Sequence, residues 1–343
     1  MNVRDSFNEQ AKACQNLGSP FTATLLRLLA RKLSNDTSIG AKVLQWPRDP
    51  SYRTDAVGLR LVGALHALVL QGSCPELITV YPPNEAGPSE LWGAVKTAFQ
   101  RHEAHIMSTL DLPPQTNEVR RSAALIPACL SLQDHFDLPL VLSELGASAG
   151  LNLNWDQFCL TLKGVAFGTA RSKVHLTPDW TGPLPPNIPP HVIDKAGCDL
   201  NPLDPTCDAL RLQSYIWPDQ INRMTRTKAA ISIAQNCPVP IASADAKDWV
   251  PERLSQHHQG AVHVIYHTIA WQYFPLATQK SCTDLIHAAG HKATTGAPVA
   301  WLRVEADDDP DGANIQVTYW PDGKTQNLGR IDFHGRWVKW NGM

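Results

Sequence analysis

The stretch Leu138-Pro139-Leu140-Val141-Leu142-Ser143-Glu144-Leu145-Gly146-Ala147-Ser148-Ala149-Gly150-Leu151-Asn152-Leu153 decides how the chain reads. Its first half is a short apolar run that closes on a carboxylate, Glu144, as a buried strand would. Small residues at 146, 148 and 150 then predict a tight turn into a helix. Such residues are needed where a cofactor lies close against the backbone, and the first amides of the helix would offer donors to a carboxylate. Two other readings share these letters. One is a small-residue turn that serves packing alone. The other is G-x-S-x-G, with Ser148 as the nucleophile of a serine hydrolase. Asp245 and His267 follow Ser148 in a suitable order for that reading. Against it, the upstream chain reads as helices and no His-Gly-Gly oxyanion loop is present.

Downstream, apolar runs at 192–198, 239–242, 262–267 and 299–304 alternate with helical stretches at 207–234, 249–257 and 276–289. Strands alternating with helices imply a mainly parallel sheet with right-handed crossovers. The end changes character: 314–320, the turn Pro321-Asp322-Gly323 and 330–340 predict an antiparallel hairpin. Residues 158–194, rich in Pro and Gly, read as a hairpin and long loop inserted after the first strand and its turn. Loops of that length are usually functional or mobile. No internal repeat or low-complexity tract interrupts the pattern.

Upstream the chain reads as helices at 21–33, 56–70, 89–107 and 118–136. The first places Leu25, Leu26, Leu28, Leu29 and Leu33 around Arg27, Arg31 and Lys32, with Ser19 as cap and Pro20 in the first turn. Leu77-Ile78-Thr79-Val80-Tyr81 is the exception, a strand signal short enough to be a loop. The expected organisation is a helical N-terminal region, 1–136, forming a lid or substrate side, and an α/β domain, 137–343.

The 343 residues are 43% apolar with a formal net charge of -2, enough for a sizeable core and without the basic stripe that nucleic acid demands. Arg211, Arg223, Arg226 and Lys228 read as the solvated face of a helix. The longest apolar run, 57–70, is broken by Arg60 and His66, too short and polar to span a membrane. Met1-Asn2-Val3-Arg4-Asp5 lacks the apolar core of a signal peptide. The eight cysteines form no C-x-x-C pair and stand at no metal-ligand spacing from histidine. They read as reduced, mostly buried thiols of a cytoplasmic protein, with no metal.

Further candidates sit at the ends of the later strands. Asp199, in Gly197-Cys198-Asp199-Leu200-Asn201-Pro202-Leu203-Asp204, ends the second strand, where a carboxylate can accept both ribose hydroxyls. The alternative is that Asp199 or Asp204 caps the next helix. Asp245, in Ser243-Ala244-Asp245-Ala246, is placed to accept from an adenine amino group beside the Ala246 amide, or to cap the helix near Trp249. After the fourth strand, His267 is a candidate general base or a structural histidine. Trp271 and Tyr273 line a substrate cleft or pack. Asn117, Glu118 and Arg121, on the helix entering the first strand, face the cleft with polar groups or make an i, i+3 ion pair in solvent.

Six segments, in order, carry a resemblance over nearly the whole chain. They are Asn117-Glu118-Val119 with Arg121, residues 144–153, residues 199–204, Trp217-Pro218-Asp219-Gln220 with Arg223, Trp301-Leu302-Arg303-Val304-Glu305, and His334-Gly335-Arg336-Trp337. They are similar to a bacterial family catalogued as domain of unknown function 2332, which implies one module and names no activity. The order of glycine turn, ribose acid, adenine acid, substrate-side strand end and terminal hairpin also resembles class I methyltransferases. Ser148 stands where that family has its middle glycine, and the ribose acid comes later than usual. The resemblance implies a Rossmann-like class I methyltransferase sheet, mostly parallel, binding S-adenosylmethionine. Glu144, Gly146, Ser148 and Gly150 would shape the methionine end, Asp199 would hold the ribose, and Asp245 with Ala246 the adenine. His267 and Tyr273 would face an acceptor, expected to be a small molecule. A protein that kept this fold as an inactive nucleoside-binding scaffold is the alternative. Oligomeric state is not legible.

Overall fold

The computed structural model describes residues 1–51 and 54–343. Two compact units emerge: Met1–Thr116 with Cys207–Thr225, and Asn117–Thr206 with Arg226–Met343. The division is thus not a single cut after residue 136, because the helix before the first strand groups with the sheet and a later segment groups with the N-terminal helices.

The first unit is helical: α1 (Val3–Asn16), α2 (Pro20–Lys32), α3 (Ser38–Leu44), α4 (Val57–Leu70), α5 (Pro75–Ile78), α6 (Pro88–Arg101), α7 (Glu103–Asp111) and the returning α9 (Ala209–Ser214). Its core gathers Phe7, Leu25, Leu26, Leu29, Leu61 and Leu65 around α4, which is buried along almost its whole length. Arg60 is tolerated there because its Nε and Nη1 donate to the Asp55 and Leu110 carbonyls. Two expectations are corrected. Leu77-Ile78-Thr79-Val80-Tyr81 is not a strand: Pro75 starts a helical turn, and its first-turn preference overrides local β propensity. The run 89–107 is two helices, broken at His102 (φ -125°, ψ 29°), where no proline or glycine marks the break.

The second unit carries the sheet. Its elements are α8 (Ser122–Phe136), β1 (Leu140–Leu145), β2 (Cys159–Leu162), β3 (Val165–Gly168), β4 (His175–Leu176), β5 (Asp179–Thr181), β6 (Val192–Asp199), α10 (Ile221–Asn236, cut by the unit boundary), β7 (Ile241–Ser243), α11 (Ala246–Ser255), β8 (Val262–Thr268), α12 (Leu276–Gly290), β9 (Val299–Ala306), β10 (Ala313–Trp320), β11 (Lys324–Ile331) and β12 (Trp337–Trp340). The nine-stranded sheet runs β5-β12-β11-β10-β9-β8-β1-β6-β7. From β7 to β9 every pairing is parallel. This mixed α/β unit therefore has a large, mostly parallel sheet. By first appearance its five parallel strands stand in the order third, second, first, fourth, fifth, so the order reverses between β1 and β8.

β1 lies in the middle and is buried at every position, which is why its run is apolar without alternation. On one face α11 and α12 pack Val250, Cys282 and Ile286 against Leu145, Ile265, Trp301 and Trp320. α8 covers the face on which Tyr266 lies. The C-terminal hairpin is larger than expected. β9, β10, β11 and β12 form an antiparallel meander, and the arm after Pro321-Asp322-Gly323 begins at Lys324. Residues 330–340 straddle two strands, because Asp332 accepts from the amides of His334 and Arg336 and turns the chain. In the insertion, β2, β3 and β4 make a small separate sheet, while β5 joins the large one beside β12. No helix among the described residues is long and apolar enough to cross a membrane.

Candidate functional site

The parallel strands end together, and in open α/β sheets ligands bind outside the carboxyl ends, at the point where strand order reverses. Here that point is the end of β1. Gly146, Ser148 and Gly150 all have positive φ (71°, 54° and 66°). The amides of Gly146 and Ala147 donate to the Cys198 carbonyl at 2.9 and 3.0 Å. Ser148, a residue that adopts this conformation at a cost of about 1 kcal/mol, donates its amide to Asp199 Oδ2 at 2.8 Å. The turn runs into a 3-10 helix, Leu151–Gln157, rather than the α-helix expected.

Asp199 thus binds the turn rather than capping a helix. Its Oδ1 accepts from the Asn201 amide at 2.9 Å, and its carbonyl accepts from Ala244 at 3.0 Å. The ends of β1, β6 and β7 are thereby tied side by side. Each Asp199 oxygen still has a lone pair to offer. Asp245 caps α11: its carboxylate takes the Lys247 amide and the Thr278 hydroxyl and pairs with the Lys247 ammonium. Burial works against its charge, but these partners hold the Asp245 carboxyl below its ordinary value. Ala246 follows as a buried first residue of α11.

Glu144 is fully buried. Burial pushes its carboxyl well above the ordinary value, and the nearby Asp199 adds to this; Arg121 and the Tyr266 hydroxyl oppose it. Among the described residues its Oε2 has no hydrogen-bond partner, nor has the buried Ser148 Oγ. The segment before α8 is drawn onto this turn. Asn117 Oδ1 accepts from the Leu151 amide at 2.9 Å. Glu118 accepts from the Arg120 amide at 3.1 Å and lies 3.6 Å from the Arg226 guanidinium. Arg121 Nη1 donates to the Thr268 carbonyl at 2.9 Å. Asn117, Arg121, Glu144, Gly146, Ser148, Gly150 and Asp199 therefore belong to one constellation.

His267 does not join it, and its expected role is corrected. It points to the α12 face, is 1% exposed, and has both nitrogens engaged. Nδ1 donates to Glu305 Oε1 at 2.7 Å, and the Trp301 indole N–H donates to Nε2 at 3.1 Å. Those partners leave neither ring nitrogen free to face an acceptor. Trp271 stacks on it at 4.5 Å between centroids. Tyr273 is 67% exposed. The hydrolase reading gains no support from this geometry. A nucleophilic serine needs a base on its hydroxyl, and Ser148 Oγ has no partner.

Two residues of the site region were given no role from sequence: Tyr266, over Glu144, and Glu305, although the latter ends one of the six resemblance segments. One oxygen of Glu305 accepts from His267 and from the amides of Ala270 (3.0 Å) and Trp271 (3.2 Å), fixing the turn after β8. The available signal was Trp301, Arg303 and Glu305 at alternate positions, a polar and aromatic face where a core strand should be apolar. Among the described residues no group of three or more His, Cys, Asp or Glu side chains is placed to hold a metal, and Cys207 and Cys237 are exposed while the other six cysteines are buried.

No curated protein matches the chain. The model of a family described as "Uncharacterized protein conserved in bacteria (DUF2332)" matches residues 4–340, nearly the whole length. The chain belongs to that bacterial family.

Proposed function

We propose that this protein binds S-adenosylmethionine at the carboxyl ends of β1, β6 and β7 and transfers a methyl group to a small-molecule acceptor. The associated fold reading is a Rossmann-like methyltransferase sheet whose terminal hairpin has grown into a meander. The observation that carries the reading is Glu144, a buried carboxylate with an unpartnered oxygen where strand order reverses. Dinucleotide sites present a helix N-terminus to phosphate there. This turn leads instead into a 3-10 segment, with a carboxylate beneath it that would repel phosphate. An ammonium group suits it, as at the methionine end of this cofactor. Glu144 would take that ammonium, Asp199 the ribose hydroxyls through its remaining lone pairs, and the Ala246 amide the adenine edge. Asp245 serves mainly to fix α11. The cofactor supplies an activated methyl group. Displacement at such a group depends on alignment more than on acid–base chemistry, so the engagement of His267 is no obstacle.

A second reading, a nucleoside-binding protein without turnover, is favoured by the glycines. A Cβ on Gly146 would meet Ala270 Cβ at 2.8 Å, and one on Gly150 would meet Ile241 Cδ1 at 2.8 Å. Protein side chains thus occupy the space beside both. Calorimetric titration with S-adenosylmethionine and S-adenosylhomocysteine tests both readings, alongside Asp199→Asn and Glu144→Gln. Saturable binding weakened in both variants supports the site, and methyl loss in the presence of acceptor mixtures separates enzyme from binder. A folded parent protein that binds neither compound overturns both.

A further inference from the structure

A cavity of about 360 Å³ opens between α12 and strands β8 to β10. It is distinct in composition from the glycine turn and is walled by Trp271, Trp301, His287, Asn314 and Gln316. Arg303 and Glu305 project into its lining from the same face of β9.

Arg303 is not paired as a structural arginine would be. Its Nη2 donates to Thr318 Oγ1 at 2.7 Å, and its guanidinium lies 4.3 Å from the Trp301 ring centre. Its Nε–H is buried with no acceptor among the described residues. Burial pulls its pKa down to about 10, with no carboxylate to offset it. At neutral pH it therefore carries a charge that the fold leaves partly desolvated and uncompensated, an arrangement proteins avoid unless a partner arrives. The acids nearby do not fill this gap. Asp307 is bound by Arg330 through two hydrogen bonds of 2.8 Å. Glu305 spends Oε1 on the turn after β8, leaving a buried Oε2 unpartnered in the same lining. The cavity thus offers a planar cation stacked on an indole and one unused carboxylate oxygen. Its size is that of small-ligand pockets.

We infer that this cavity binds a small anion, carboxylate or phosphate, that also carries a hydroxyl or amino donor. Arg303 holds the anion, by the two-pronged geometry a guanidinium offers. Glu305 Oε2 accepts from the donor, and the indoles flank the carbon skeleton. The inference does not depend on cofactor binding at the glycine turn.

The test uses the full chain labelled with 5-fluorotryptophan, with the Trp301 fluorine resonance assigned through Trp301→Phe. L-malate and glycerol 3-phosphate, the carboxylate and phosphate probes, are titrated separately. A saturable shift of the Trp301 signal is expected with at least one of them, and which one tells the anion class. Arg303→Gln should weaken it by roughly tenfold or more, as loss of a charged hydrogen-bonding partner does, and Arg303→Lys by less. Thermal melting of Arg303→Met supplies an independent readout: removing an unpaired charge should leave the melting temperature unchanged or raised. No saturable shift with either probe in the folded protein overturns the inference, as does equal binding by Arg303→Gln. A marked loss of stability in Arg303→Met does so too, by making Arg303 structural. S-adenosylmethionine binding is measured on the same samples, so failure at one site is distinguishable from failure at the other.

Discussion

Glu144 and Glu305 both stand near the carboxyl ends of inner strands and each keeps one buried oxygen unpartnered among the described residues, but only Glu305 has its other oxygen built into the scaffold. Glu305 gathers three donors on Oε1 and so holds His267, Ala270 and Trp271 in place. Glu144 is buried completely, has one oxygen without a partner, and is driven toward its neutral form. A carboxylate supplied with donors by its own backbone is part of the scaffold. One that the scaffold buries and leaves short is destabilising until something else completes it, and functional sites collect such residues. The difference teaches where to look: not for acids at strand ends in general, since Asp245 is also one and is spent on a helix cap, but for acids whose hydrogen bonding is unfinished.

The largest effect should follow from removing Glu305, whose Oε1 the fold has supplied with three donors. Glu305→Ala leaves the His267 Nδ1–H and the Ala270 and Trp271 amides without their acceptor. The expected loss is about 3 kcal/mol, since each unsatisfied buried donor costs roughly 1–3 kcal/mol and some will find water. Glu305→Gln keeps the acceptor and should lose about 1 kcal/mol. Urea unfolding measures both. A loss for alanine no greater than for glutamine would dissolve the contrast between the two acids.

Glu144→Gln should act in the other direction. With the folded-state pKa raised, the folded protein holds its proton more tightly than the unfolded chain does. That preference stabilises the fold in full below the ordinary value of 4.5 and is lost as pH climbs from there through the folded-state pKa. At pH 7 the parent therefore bears a burden that the glutamine variant does not. The variant should be more stable there by about 1–2 kcal/mol, the scale of an uncompensated buried polar group. The gap should close as pH falls toward 4. Chemical unfolding at a series of pH values reads this. A constant difference across the range would mean that Glu144 is already neutralised by Arg121 and Tyr266.

Much of this was legible beforehand, and the physical reason differs by element. β1 and its turn were readable because a wholly buried strand must be apolar and a turn with three positive φ values must be small. The parallel strands followed from the alternation of runs. What sequence could not show was where hydrogen bonds end. Nothing in Tyr266-His267-Thr268 says that the histidine is closed on both nitrogens by Glu305 and Trp301, because those partners arrive from a strand more than thirty residues on. The split at His102 was hidden because no proline or glycine marks it. Arg303 looked like one more charge in a motif until the structure showed neither nearby acid, Glu305 or Asp307, paired with it.

The smallest effect should come from Tyr273, which separates exposure from function. It ends the 3-10 turn that Glu305 anchors, yet two-thirds of its surface is in solvent. A side chain so exposed contributes little to the fold, so Tyr273→Ala should change stability by no more than about 0.5 kcal/mol. The turn itself should stay in place, because the amides of Ala270 and Trp271 still have their acceptor. Any effect on cofactor affinity or methyl transfer in this variant would then be read free of a folding defect, which cannot be said of substitutions at Glu305 or His267. Unchanged stability with altered turnover would return Tyr273 to the acceptor side of the crevice. Unchanged stability with unchanged binding and turnover would remove it, leaving the unfinished carboxylate of Glu144 as the residue on which the site depends.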